Sequence, residues 1–211
     1  VIPAVCAIAD SRGASGRTVL KAVIAGYDVA SRLLEGSGGY RPHADAGWHS
    51  TSTCGTFGAA AAAAAMLELD ETQMTWALGI AGSYAGGTWA FLGDGADTKR
   101  LHPGRSSEAG VASAYLARSG LTGPRSILDA PWGGYFSTFC GDAATPERTV
   151  EALGREFRIM NTGIKLHACC RGLHSPVEAL QGLLREHGLR ARDIRRIVVH
   201  GAERTVRQFS K

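Results

Sequence analysis

The chain has 211 residues, 45% of them apolar and 20% charged, with a formal net charge of +4. This length suits one domain or two, and burial of roughly 70% of the unfolded surface holds such a core without metal or disulfide. The composition excludes a disordered chain, and the sequence has no charge-free apolar run of about 18 residues of the kind that crosses a membrane.

Helical signals dominate the first three quarters. Ser15 is a candidate N-cap, and Val19, Val23, Ala30, Leu33 and Leu34 recur at helical spacing until Gly36. Gly36 to Trp48 is rich in Gly, His and Pro and reads as a loop. A second helix is predicted from about Thr53 through seven consecutive alanines to Leu69. Alanine is the best helix former, and a helix so thin admits its neighbours closely, which places it in the middle of a bundle. Asp70 and Gln73 form a capping box for a third helix through Trp76, Leu78 and Ile80 to Tyr84, with few charges and therefore buried. Gly86 to Gly104 is a second loop, with Trp89, Phe91 and Leu92 buried and a turn at Asp94-Gly95. A helix follows over Ser106–Arg118, stopped by Gly120. Ile127 to Gly141 is irregular and aromatic. Thr145-Pro146 then starts another helix with cap and proline in the favoured order.

The character changes near Arg158. Ile159 to Leu166 reads as extended, Ser175-Pro176-Val177-Glu178 as a capping box opening a helix to Gly188, and Ile197-Val198-Val199 as a short strand. Strand, helix, strand is the opening of an α+β unit. The predicted fold is mainly α: an all-helical bundle over residues 1–157, then the start of an α+β domain over 158–211.

Charge and cysteine narrow the function. The 23 basic and 19 acidic residues are spread along the chain. The densest basic stretch, Arg190, Arg192, Arg195 and Arg196, is interrupted by Asp193 and reads as a solvated face rather than a nucleic-acid patch. Asp28 and Glu108 read as surface carboxylates. Only four basic residues are lysines: Lys21, Lys99, Lys165 and Lys211. In a chain that otherwise uses arginine, a lysine hints at a group that must release a proton, which arginine cannot do. Five cysteines with no framework spacing point to reduced thiols and a cytoplasmic compartment.

Three polar segments are candidates for chemistry. Gly47-Trp48-His49-Ser50-Thr51-Ser52-Thr53 precedes the alanine helix, whose first N–H groups lack helical partners and can hold an anion beside a proton-shuttling histidine. The alternative is a cap with a satisfied histidine. Asp97-Thr98-Lys99-Arg100-Leu101-His102 places cations at another helix N-terminus, which is unfavourable unless an anion sits among them; a solvated basic turn is the alternative. In Lys165 to His174, strand alternation would put Lys165 and His167 on one face, and Arg171 can clamp a carboxylate bidentately. His167, Cys169, Cys170 and His174 match no structural zinc spacing, so no metal is expected. A P-loop, a dinucleotide fingerprint and a Gly-x-Ser-x-Gly elbow are all missing.

In series, Gly47-Trp48-His49, Thr53-Cys54-Gly55-Thr56-Phe57-Gly58, Ala77 to Ser83, Lys99-Arg100-Leu101-His102-Pro103-Gly104, Glu108-Ala109-Gly110, and Lys165 with Cys169-Cys170-Arg171 before His174 resemble the MmgE/PrpD family of 2-methylcitrate dehydratase-like proteins. The resemblance implies an all-helical domain with an α+β lid, usually a homodimer or a partner chain completing the site, and no metal or organic cofactor. The family's known activities are 2-methylcitrate dehydration, cis-aconitate decarboxylation and iminodisuccinate epimerisation. Its members are longer, so the chain is expected to lack an N-terminal part and the rest of the lid. The expected function is a hydro-lyase acting on a small polycarboxylate by proton abstraction alpha to a carboxylate, with decarboxylase, epimerase or a non-catalytic helical module as alternatives. His49 and Lys165 are expected as base and acid with Lys99 and His102 beside them; Arg100, Arg171, Ser52 and Thr53 are expected to bind substrate.

Overall fold

The computed structural model describes residues 1–209, without the side chains of Arg204 and Arg207; Ser210 and Lys211, the last residues of the expected lid, lie outside the described residues. The chain divides into two compact units, one over Val1–Asn161 and one from Thr162 onward.

The first unit is helical: α1 (Ile2–Arg12), α2 (Gly16–Gly36), α3 (Tyr40–Asp45), α4 (Ser50–Met66), α5 (Glu71–Tyr84), α6 (Leu101–Arg118) and α7 (Tyr135–Phe139). Ser15 caps α2 by accepting the Thr18 N–H at 3.2 Å. The Asp70–Gln73 box caps α5 through reciprocal bonds of 2.8 and 3.3 Å. Each satisfies orphan donors of a helix start. α4 is the central helix, packed against α1, α2, α5 and α6. Its Ala59, Ala60, Ala62, Ala63 and Ala64 are completely buried. Small residues let backbones meet: a Cβ on Gly58 would lie 2.6 Å from the Gly26 carbonyl oxygen of α2, and one on Gly110 of α6 would lie 2.4 Å from the Ala59 Cβ. Such spacing leaves dense contact in place of large side chains.

Several helix boundaries differ from the sequence prediction. α1 has no side-chain cap, and α3 occupies part of the expected Gly36–Trp48 loop. α6 begins at Leu101 rather than Ser106, carrying Pro103 and Gly104 in its first turn, where the missing proline N–H costs no helical bond. Thr145-Pro146 opens only a single 3-10 turn, Pro146–Thr149. Asp28 is not a surface carboxylate. It is buried, pairs with Arg32 at 2.6 Å and accepts the Arg158 backbone N–H at 2.8 Å. Arg32 also donates to the carbonyls of Glu151 and Glu156, and Arg158 pairs with Glu35 at 2.9 Å. This network fastens the irregular chain before residue 160 to α2. Glu108 is exposed, as expected, and pairs with Arg105.

The second unit holds α8 (His174–Glu186) and α9 (Glu203–Phe209). Among the described residues the expected strands, at 159–166 across the boundary between the units and at 197–199, do not form. Instead a 3-10 turn spans Arg158–Asn161, and Ile197, Val198 and Val199 are each more than half exposed. A strand without a neighbour leaves its ladder groups unpaired, so β-branched residues alone do not make one. The described part of the expected α+β lid is thus helical and irregular. Ser175 does not cap α8, which starts one residue earlier after Leu173 with no side-chain cap. No helix among the described residues is long and apolar enough to cross a membrane.

Candidate active site

Two loops of the first unit are tied together where the polar motifs lie. Trp48 and Thr88 form an isolated antiparallel bridge. The His49 N–H donates to the Gly87 carbonyl at 3.0 Å, and the Trp89 N–H donates to that of Gly47 at 2.9 Å. The Trp89 indole N–H adds a bond to the Trp48 carbonyl at 2.9 Å. Gly87 sits at φ +119, and a Cβ there would lie 2.8 Å from the Ser52 Cβ and 3.2 Å from His102 Cε1. Only glycine combines that backbone with that space.

The bridge places His49 at the N-cap of α4, buried, with its ring 4.5 Å from Trp89 and 5.7 Å from Phe91. His102, in the first turn of α6, completes the cluster with its ring 4.9 Å from His49. The two Nδ1 atoms are 2.6 Å apart. α6 is latched against α4: Ser106 Oγ donates to the Thr51 carbonyl at 3.1 Å, and Thr56 Oγ1 donates to Ser106 Oγ at 3.3 Å. Burial, then His102, then Lys99, push the His49 imidazole down to about 4, and burial lowers His102 as well. Both rings are therefore neutral near pH 7, the state in which an imidazole can accept a proton.

Lys99 and Arg100 lie on the exposed 3-10 turn Asp97–Arg100 that leads into α6. Arg100 pairs with Asp97 at 3.4 Å on the surface, a contact of little energetic weight. Ser52 and Thr53 are buried, and their N–H groups donate to the His49 carbonyl at 2.8 and 3.1 Å. They complete the first turn under His49. Thr53 Oγ1 is 2.7 Å from His43 Nε2, and Cys54 Sγ is 3.2 Å from the Tyr135 hydroxyl. Burial lowers His43, lifts the Cys54 thiol to about 11 and raises Tyr135. His43 and Tyr135 are site supports that sequence reasoning missed, since nothing in the local pattern links residues 10 and 81 positions apart. All five cysteines are free.

Lys165 and Arg171 belong to the second unit. Both are exposed, Lys165 in a segment without regular structure and Arg171 at the start of the 3-10 turn Arg171–Leu173. Because that segment is not a strand, the predicted sharing of one face by Lys165 and His167 has no strand alternation behind it. His167 meets His174 edge to face at 5.1 Å and lies 3.9 Å from a Glu178 oxygen. Among the described residues, no group of three or more His, Cys, Asp or Glu is arranged to hold a metal ion.

The first unit thus offers a neutral histidine pair under an aromatic cover, with lysine and arginine on the adjoining turn. Comparison with known proteins gives this site a context. A cis-aconitate decarboxylase-like protein of Aspergillus oryzae is 34% identical over 96% of this chain and 45% of its own length. A cis-aconitate decarboxylase of Aspergillus terreus is 31% identical over 87% of this chain and 39% of its own length. The Homo sapiens cis-aconitate decarboxylase is 34% identical over 66% and 30% respectively. The chain spans less than half the length of these curated relatives. Residues 1–147, which hold every helix of the first unit and the histidine pair, match the MmgE/PrpD N-terminal domain, and the chain belongs to the MmgE/PrpD family.

Proposed function

We propose that the protein is a cofactor-independent lyase of small polycarboxylates, with decarboxylation of a cis-aconitate-like substrate as its reaction. The observation that carries this reading is the pairing of buried His49 with half-buried His102 beside the Lys99–Arg100 turn, and the names of the relatives favour decarboxylation over dehydration. In such a reaction the bond from carbon to one carboxylate breaks and CO₂ leaves. The released electron pair moves onto the neighbouring alkene system, and a proton is delivered to carbon. The enzyme must hold the remaining carboxylates and supply that proton. Lys99, Arg100 and Arg171 are the carboxylate holders in this reading, His49 is the proton donor or acceptor with His102 behind it, and Lys165 is the second proton-transfer group. Ser52 and Thr53 act through the backbone, by shaping the turn under His49.

A dehydratase needs the same groups: a base removes the proton alpha to a carboxylate and an acid protonates the departing hydroxide. The products separate the two. The protein is incubated in deuterated water with cis-aconitate, 2-methylcitrate, citrate and iminodisuccinate, and followed by NMR. Loss of CO₂ from cis-aconitate with one deuterium on the product carbon is the expected result. Water elimination would move the reading to the dehydratase, and proton exchange alone to an epimerase. No turnover of any of the four would overturn the lyase and favour a helical binding module.

A further inference from the structure

We propose that His49 and His102 form a linked pair sharing one bridging proton, which fixes opposite tautomers on the two rings and lets one pair offer a base and an acid at once. The inference deepens the lyase reading and rests on it for its use in catalysis, but its geometry stands without substrate.

The two Nδ1 atoms lie 2.6 Å apart. At that separation one nitrogen donates and the other accepts: two N–H groups would collide, and two lone pairs would repel. If both rings are neutral, the donor ring carries its proton on Nδ1 and leaves Nε2 bare. The acceptor ring must then carry its own proton on Nε2. One Nε2 is a base and the other an acid, at the same pH and without net charge.

Neutrality is built into the surroundings. Trp89 and Phe91 cover the His49 ring from one side, and Phe91 also meets the His102 ring, at 5.6 Å. The titratable groups that bear on His49 are His102, from α6, and Lys99, from the turn preceding it; from α4 the neighbouring Ser52 is uncharged. A cation on the pair would sit in an apolar cover facing a second cation. The frame is fixed at both ends, since His49 is held by its N–H bond to Gly87 and His102 by the Ser106–Thr51 latch between helices.

The pair can pass a proton in either direction with full balance. When the bare Nε2 takes a proton from a substrate C–H, a C–H bond breaks and an N–H bond forms. The bridging proton crosses from the donor Nδ1 to the other Nδ1, and the second ring releases its Nε2 proton to solvent. Delivery to a carbanion runs the same steps backwards. Both rings end neutral with tautomers exchanged, so the pair must be reset by solvent before the next cycle in the same direction. His102 is therefore a positioning residue, acting through His49.

The test is ¹⁵N NMR of the 211-residue chain labelled at histidine, without substrate. The expected spectrum at pH 7 shows one ring protonated at Nδ1, one at Nε2, and a downfield proton attached to a histidine Nδ1. His102→Phe should abolish that proton and shift the protonation midpoint of His49, because it removes both an ionisable neighbour and the ring's hydrogen-bond partner. His102→Asn, smaller and polar, is the second variant should the first fail to fold. Two Nε2–H tautomers with no downfield proton in the wild type would overturn the pair, as would a His49 midpoint identical with and without His102. A lyase-inactive protein that shows the paired spectrum would sink the proposed function and leave the pair standing. An active one without it would do the reverse.

Discussion

Thr53 and Ala63 are both completely buried in α4, nearly three turns apart, and their surroundings differ in chemistry. Around the first half of the helix polar and aromatic partners gather beside the apolar side chains of Leu33 and Ala81: His43 on Thr53, Ser106 on Thr56, Tyr135 on Cys54, and the His49–His102 pair at the cap. Around the second half the contacts are alkyl groups and glycine backbone, with Val5, Ile8, Ala22, Ala77 and Ala114 forming the same buried cluster. Burial alone therefore does not mark chemistry here. What marks it is a buried group whose partner can gain or lose a proton near neutral pH, which the raised Cys54 and Tyr135 cannot do for each other. The alanine half holds the frame rigid, and the polar half uses that rigidity to keep two imidazoles in hydrogen-bond contact.

The largest effect should come from the polar end. On the proposed lyase reading, His49→Gln should lower turnover by about 10² to 10⁴, or roughly 3–5 kcal/mol of barrier, the usual weight of a proton-transfer group. Its free energy of unfolding should change by only about 1 kcal/mol, read by denaturant titration. Next in size comes the alanine end. Gly110→Val would drive a side chain into the Ala59 and Ala60 backbone, where nothing flexible can yield. Overpacking of this kind costs about 1–3 kcal/mol and occasionally more. Turnover per folded molecule should be unchanged. A His49→Gln protein that unfolds, or a folded Gly110→Val protein that has lost turnover, would erase the distinction between the two ends.

Much of the frame is legible in the sequence. Ser15 and the Asp70–Gln73 box announce their helices because a cap is a local device, written in three or four residues. The alanine run announces a central helix because only small side chains permit such close neighbours. The uncapped start of α1 and the Pro103-Gly104 turn inside α6 carry no such local sign. The segment 197–199 has the composition of a strand without being one, because β-branched residues record a preference, and pairing depends on chain elsewhere. For the site, His49, His102 and Lys99 were legible as polar residues at helix starts. Their pairing was not, since 53 residues separate His49 from His102 and only the packing of α4 on α6 joins them. Asp28 reads as surface for a related reason: Arg32 is one turn away, but the Arg158 N–H that it also accepts is 130 residues on.

His43 sharpens the comparison within the polar end. It is as buried as His49, and its Nε2 bond to Thr53 is nearly as short, 2.7 Å against 2.6 Å. Its partner, however, is a hydroxyl that does not titrate at working pH, and its own Nδ1 is buried with no hydrogen-bond partner. His43 is a core peg by this reasoning. His43→Leu removes one unsatisfied nitrogen but strips Thr53 of its main partner, and should cost about 1–3 kcal/mol on thermal or denaturant unfolding. Turnover of the folded variant should stay within about twofold, far from the loss expected for a proton-transfer group. A loss approaching that of His49→Gln would place His43 in the chemistry.

The smallest effect is a slope. In the folded chain His49 is lowered to about 4, and His43 and His102 are lowered too, chiefly by burial; in the unfolded chain all three protonate near 6.5. Above pH 6.5 neither state binds these protons, so the contribution to stability is complete. As pH falls below 6.5 the unfolded chain takes up protons that the folded chain refuses, and stability declines until the folded rings also protonate, near pH 4 for His49. Carboxylates titrate toward the lower end of that window, so the informative range is about pH 5 to 6.5. Unfolding free energies there should fall more steeply for wild type than for His49→Gln or His43→Leu, since each variant removes one proton the unfolded chain would bind. Gly110→Val should lower the whole curve and keep its slope, because the alanine half contains no group that titrates. Parallel curves for wild type and His49→Gln would mean that the His49 ring gains its proton as readily folded as unfolded, which the apolar cover of Trp89 and Phe91 does not allow.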